Sequence, residues 1–233
     1  MTYSFGIDFL DRQIGAVAPR SNILLSGPPM VGKGVLVRNL FYEVLKGGGG
    51  GIYITTKDTA DQLKDWFASH GMDMRPHEDR IGIIDSISRT LGFSTGKHAS
   101  NVVQVSSAVD LNGISIGLNR FLTRFYKELL LKETVVVVES LSNLLMFSNI
   151  QILYRFLYVF SGRIRAAGCV GIYTLEEGMH GPEVLATVRQ LCQGLIEMKQ
   201  ESGGKYIRVS GLSASNPIFK YAIQEGRIME VRE

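Results

Sequence analysis

Gly27, Gly32 and Lys33 stand in the spacing G-x-x-x-x-G-K, within the run Gly27-Pro28-Pro29-Met30-Val31-Gly32-Lys33-Gly34. Residues of these types at this spacing bind phosphate. A glycine-opened loop turns successive backbone N–H groups onto phosphate oxygens, and a following helix adds its positive N-terminal end. The lysine brings a point charge to the outer phosphates. Val35 then opens the helical run behind the loop. Without its flanks the same spacing is only a tight turn with a solvated lysine; a buried strand before it and an amphipathic segment after it favour phosphate. One position departs from the motif. The residue after the lysine ordinarily carries a Ser or Thr hydroxyl for magnesium, and here it is Gly34. That loss bears on hydrolysis more than on binding.

A second group of residues completes such a site. The run TVVVVE over residues 134–139 is an uninterrupted β-branched strand ending in the carboxylate of Glu139. An acid at that place holds magnesium directly or through water. Ser140 beside it is a candidate second donor to the metal shell, partly replacing what Gly34 lacks. Hydrolysis also needs a base within a hydrogen bond of the attacking water. The candidates are Asp58, which also reads as a helix N-cap, and Glu176, which also reads as a solvated loop acid.

The elements that must position these residues follow from periodicity. Strands are expected over residues 22–26, 52–55, 80–85, 134–139 and 169–174. Helices are expected over 35–45, 62–70, 111–131, 150–167 and 182–190. A short helix over 5–15 reads as a lid over one sheet edge. Glycines 47–51 read as a flexible turn, Asp58 as the cap of the helix at 62–70, and 86–105 as a surface loop. Four short segments, 194–198, 205–210, 220–223 and 227–230, read as an antiparallel extension on one edge. Alternating strands and helices argue an α/β fold, a mostly parallel sheet covered on both faces. Ligands then sit at the carboxyl ends of the strands, where residues 27–34, 56–58, 139–140 and 176 converge.

Composition excludes several classes. The chain has 233 residues, 45 % hydrophobic and 20 % charged, as expected for a single α/β domain over 1–233. A net charge of +3, with no basic run, is not the footprint of a nucleic-acid partner. Cys169 and Cys192 lie in apolar segments and read as reduced, buried thiols. His70, His77, His98 and His180 have no ligand spacing, so no structural metal is expected. No apolar run reaches membrane-spanning length, and the opening residues carry no leader pattern. A soluble, cytoplasmic protein is the expectation.

The fragments FGIDFLDRQIG, GPPMVGKG, GGIYITTKDTADQL, TVVVVESLSNLL, GIYTLEEGMHG, GLIEMK and YIRVSGL…FKYAIQEGRI occur here in order. Together they resemble the RecA superfamily, and within it the KaiC-like single-domain ATPases abundant in archaea, which include the gas-vesicle regulator GvpD. The resemblance runs nearly end to end. It implies a RecA-like core that binds ATP or ADP, with magnesium, between neighbours of a homo-oligomer, commonly a hexameric ring. By position, Gly27 to Gly34 would hold phosphates and Glu139 would be the Walker B acid. Active members carry a Glu-Glu pair where this chain has Lys57-Asp58. Their lysine–arginine pair that reaches the neighbour's nucleotide aligns with Arg208 and Ser210, so one cation survives for action in trans. Gly34, Lys57 and Ser210 all depart from the pattern, and a lysine cannot act as a general base at neutral pH; Lys57 would instead neutralise phosphate charge in place of the metal.

The leading expectation is therefore a nucleotide-responsive regulatory or scaffold protein with weak or no hydrolysis. A slow magnesium-dependent ATPase using Glu139 with Asp58 or Glu176 is the alternative. A recombination accessory protein binding single-stranded DNA ranks below both, because the candidate DNA loop at 177–190 offers only Arg189. A fold kept for protein contacts alone is the last reading; the bulky Met30 and Val31 inside the loop favour it.

Overall fold

The β-branched and aliphatic runs form strands buried along their whole length, as parallel strands covered on both faces must be. The chain is seen in a computed structural model that describes residues 3–5, 7–93 and 99–231. Residues 1, 2 and 6 of the opening segment, and 94–98 of the expected loop with His98, lie outside the described residues. In chain order the strands are β1 (Asn22–Gly27), β2 (Gly50–Thr55), β3 (Ile81–Asp85), β4 (Val102–Gln104), β5 (Thr134–Glu139), β6 (Val170–Glu176), β7 (Gly194–Glu201), β8 (Gly204–Ser210), β9 (Ile218–Gln224) and β10 (Arg227–Glu230). They make one sheet in the order β10-β9-β8-β7-β1-β6-β5-β2-β3-β4. From β7 to β4 every neighbouring pair is parallel, and β8, β9 and β10 are antiparallel.

The helices are α1 (Asp8–Ile14), α2 (Lys33–Lys46), α3 (Ala60–Ser69), α4 (Leu111–Thr123), α5 (Leu141–Met146), α6 (Ile150–Ala166) and α7 (Pro182–Arg189). Side chains alternate between the two faces of the sheet. Ile23, Leu25, Tyr53, Val135 and Val137 pack with residues of α1, α2 and α3. Leu24, Ile52, Ile54, Val136 and Val138 pack with residues of α4, α6 and α7. The α/β fold class and the mostly parallel sheet with an antiparallel C-terminal extension are as expected. Among the described residues no helix is long and apolar enough to cross a membrane.

Several local expectations are corrected. The expected loop at 86–105 contains β4, too short to show a periodicity, which pairs with β3. Gly50 and Gly51 are not turn residues; they begin β2, and Gly51 is glycine because a Cβ there would lie 2.4 Å from the ring of Phe41. The first of the four C-terminal strands, β7, runs parallel to β1, so the antiparallel part is β8 to β10. The helix expected over 111–131 is α-helical to Thr123 and continues as a π-helix over Arg124–Glu128, stopping short of Leu130, which takes left-handed backbone at φ 51°. Asp58 does not cap α3. Thr59 does, in a reciprocal capping box with Gln62. At the other end α1 packs beside the extension, Phe9 meeting Phe219 edge-on at 5.2 Å and Arg12 meeting Glu230 at 3.2 Å.

Candidate functional site

The strand register brings the chemistry together. Gly27 at the end of β1 lies opposite Glu176 at the end of β6, and Thr55 at the end of β2 lies opposite Glu139 at the end of β5. The loop between β1 and α2 takes left-handed backbone at Met30 (φ 61°) and at Gly32 (φ 106°). At Gly32 a Cβ would also lie 2.3 Å from Ile223 Cδ1 of β9, so a side chain there would force Ile223 to move. Tyr221, also on β9, donates its hydroxyl to the Val31 carbonyl at 2.6 Å. The extension thus braces the loop from outside the parallel sheet.

Lys33 is buried, 4 % exposed. Its Nζ donates to the Gly27 and Pro28 carbonyls at 2.8 and 2.5 Å and meets Glu176 Oε2 at 2.6 Å. Burial pulls its pKa below the ordinary lysine value while Glu176 pulls it back up. The ammonium is therefore held at the mouth of the loop by three oxygens. Beside it, Ser26 Oγ donates to Glu177 Oε1 at 2.9 Å.

Glu139 is 1 % exposed. Its Oε1 meets Lys57 Nζ at 2.5 Å; its Oε2 accepts from the Tyr53 hydroxyl and lies 3.4 Å from Arg38 Nη2. Burial pushes Glu139 upward, but the charges of Arg38 and Lys57 and the hydrogen bonds from Lys57 and Tyr53 leave it below the usual carboxylate range. Arg38 also pairs with Asp58 and sits 4.7 Å from the centre of the Trp66 ring. A cleft of about 330 Å³ opens between these groups, bounded by Met30, Gly32, Lys33, Gly34, Val35, Arg38, Lys57, Trp66, Glu139, Glu176 and Ile223.

The other candidates sit as follows. Asp58 borders the cleft only through Arg38. Ser140 follows a cis peptide bond, and its hydroxyl accepts from Asn143 N at 3.4 Å as the N-cap of α5. Arg208 is exposed on β8 opposite Glu197. Arg189 of the candidate DNA loop is tied to Glu197 at 2.9 Å. Cys169 and Cys192 are free thiols, pushed up to about 11 and about 12 by burial. Sequence reasoning missed Arg38, Tyr53, Trp66 and Glu177. Arg38 carried a signal, since it lies one helical turn after Gly34 and so on the same face of α2.

With this geometry in view, residues 20–198 match a family model described as "Family of unknown function (DUF7504)". The chain belongs to that family. Among curated proteins it is similar to UPF0273 protein SSO1861 of Saccharolobus solfataricus, 26 % identical over 198 residues, covering 78 % of this chain and 64 % of that protein. It is also similar to UPF0273 protein PAE3143 of Pyrobaculum aerophilum, 26 % identical over 115 residues, covering 48 % of this chain and 40 % of that protein. The matches thus span less than two-thirds of either relative's length. Two solved structures from Pyrococcus horikoshii match almost end to end. The KaiC-like protein PH0186 has a TM-score of 0.76 at 17 % identity, covering 100 % of this chain and 99 % of that one. The uncharacterized protein PH0321, in complex with an unknown peptide, has a TM-score of 0.77 at 16 % identity, covering 99 % of each. At these identities the likeness is one of fold: a KaiC-like RecA fold.

Proposed function

We propose that this chain binds ATP or ADP at the cleft over Lys33 and acts as a nucleotide-responsive regulatory or scaffold protein with weak or no hydrolysis. The observation that carries the reading is the position of Lys33. Its charge stands at the mouth of a glycine loop that opens a 14-residue helix, with Gly27, Glu139 and Glu176 at the ends of three strands around it. Adenine is the base implied by the family resemblance. Weak turnover is supported by how the acids are engaged: Asp58 faces Arg38, Glu176 faces Lys33 and Glu139 faces Lys57, and a carboxylate already paired with a cation is a poorer acceptor of a proton from water. Nucleotide would act by binding one conformation or assembly of the chain more tightly than another. Homo-oligomer formation, including a hexameric ring, belongs to this proposal.

Calorimetric titration of ATP and ADP into the purified chain tests it, beside Lys33→Ala. Binding that Lys33→Ala abolishes supports the reading; no binding of either nucleotide at millimolar concentration sinks it. The slow-ATPase reading keeps one supporting observation, since Glu176 borders the cleft next to Lys33. Phosphate release that Glu176→Gln eliminates would favour that reading.

A further inference from the structure

We infer that this phosphate loop works without a divalent cation, because the ammonium of Lys57, held on Glu139, supplies the positive charge that magnesium brings to such sites. The inference deepens the nucleotide reading and rests on it.

Position 34 carries no side chain. A Cβ there would lie 2.7 Å from Glu139 Oε1, so a side chain at position 34 requires that carboxylate to shift and to give up its contacts with Lys57 and Tyr53. The missing hydroxyl is thus coupled to the length of the acid across from it. A glutamate at the end of β5 reaches one methylene further than an aspartate, and its carboxylate fills the space a Ser or Thr side chain would need. Glycine and glutamate are a matched pair at the first turn of α2. With that carboxylate in place, position 34 can contribute no oxygen to a metal.

The remaining donors do not fit magnesium either. Magnesium holds an octahedral shell and, beside phosphates, leans on one or two protein oxygens. Glu139 Oε1 is taken by Lys57 at 2.5 Å, and Oε2 by the Tyr53 hydroxyl with Arg38 at 3.4 Å. Ser140 Oγ caps α5. Among the described residues no three His, Cys, Asp or Glu side chains gather as a metal-binding group. An incoming ion would have to displace a tethered ammonium from Glu139 to gain a single carboxylate.

Lys57, by contrast, fits the role. Its Nζ lies 3.8 Å from where the Cβ of residue 34 would be, beside the turn where the loop hands over to α2. The side chain is 40 % exposed, so its charge reaches the cleft. An ammonium carries three donors, so Lys57 can stay on Glu139 and still offer N–H groups to a phosphate.

The test is titration of ADP and ATP into the intact chain in EDTA and in millimolar magnesium, for the natural chain and for Lys57→Ala. Affinity in EDTA within about threefold of that in magnesium is expected, a difference under about 1 kcal/mol. Lys57→Ala should lose about tenfold or more in EDTA. Thermal unfolding checks that the variant is folded. The double variant Gly34→Ser with Glu139→Asp clears the clash and restores an oxygen, and its binding should become magnesium-dependent. Binding by the natural chain in magnesium but not in EDTA, or full binding by Lys57→Ala in EDTA, would overturn the inference and leave the nucleotide reading standing. Absence of binding in both buffers would overturn the nucleotide reading and this inference with it.

Discussion

In the free chain the charge of Lys33 is engaged by the carboxylate of Glu176 at 2.6 Å, so a phosphate must compete for it and approach a like charge as well. Glu176→Ala should therefore tighten ADP binding by about tenfold, ~1.4 kcal/mol, read by calorimetry; unchanged or weaker binding would show that Glu176 does not compete. A second outcome follows from Glu139. Its folded-state pKa lies below the ordinary value of 4.5 because Arg38 and Lys57 outweigh burial. The stability this contributes is fully present above pH 4.5 and is lost as pH falls through the lower folded value. Glu139→Gln should cost about 3 kcal/mol at pH 7 by leaving the buried Arg38 short of a partner. In denaturant titrations its stability should fall less steeply than the natural chain's in acid; parallel curves would count against the assignment. The sequence makes it legible that Lys33, Glu139 and Glu176 border one cleft, because each ends a strand or opens a helix. It did not make the fit of Gly34 to Glu139 legible, since the two are 105 positions apart and only tertiary packing sets their distance. Asp58 was misread as a cap because Thr59 and Asp58 are both good cap residues, and Arg38, which claims Asp58, lies on another element.

Elements outside the parallel sheet hold the loop's geometry. Asn39 on α2 donates to the Gly226 carbonyl at 2.8 Å and accepts from Ile228 N at 3.1 Å, which pins the helix to the turn between β9 and β10. Tyr221 on the same hairpin pins Val31. Asn39→Ala strands two backbone groups in a largely buried place, so it should cost about 2–3 kcal/mol in chemical denaturation. A loss under about 0.5 kcal/mol would mean that water replaces both bonds. Tyr221→Phe removes one hydroxyl and leaves the ring packed, so it should lower nucleotide affinity more than its small effect on stability would suggest. The alternating strands and helices were readable because β5 is a β-branched run, β1 and β6 are mostly apolar, and α6 has a clear apolar stripe. What escaped was short or set by pairing. β4 is three residues and α5 six, below the length at which a period is visible. The segment 194–198 reads in sequence as one of four antiparallel segments, and nothing local tells a strand that it will join β1 in parallel.

At the scale of the whole molecule, the direction of Arg208 decides whether it serves its own cleft or another's. Ile207 and Val209, its neighbours on β8, point into the core layer that contains α2. Successive side chains on a strand face opposite ways, so Arg208 points to the other face, away from the helix that the loop opens. It is exposed there. In the proposed assembly, a nucleotide it touches would be one bound by another copy of the chain. Met30, in the same loop, is 94 % exposed. If copies assemble with nucleotide between them, Arg208→Ala should leave ADP affinity unchanged at protein concentrations where the chain is monomeric. The same change should weaken nucleotide-dependent assembly by about tenfold, given that a charge-assisted contact to phosphate contributes about 1.5–3 kcal/mol. Sedimentation velocity across a concentration series, with and without ATP, reads both quantities. Equal loss of affinity in the dilute monomer would place Arg208 at its own cleft, and an assembly indifferent to both ATP and Arg208→Ala would remove the arginine from the nucleotide site altogether.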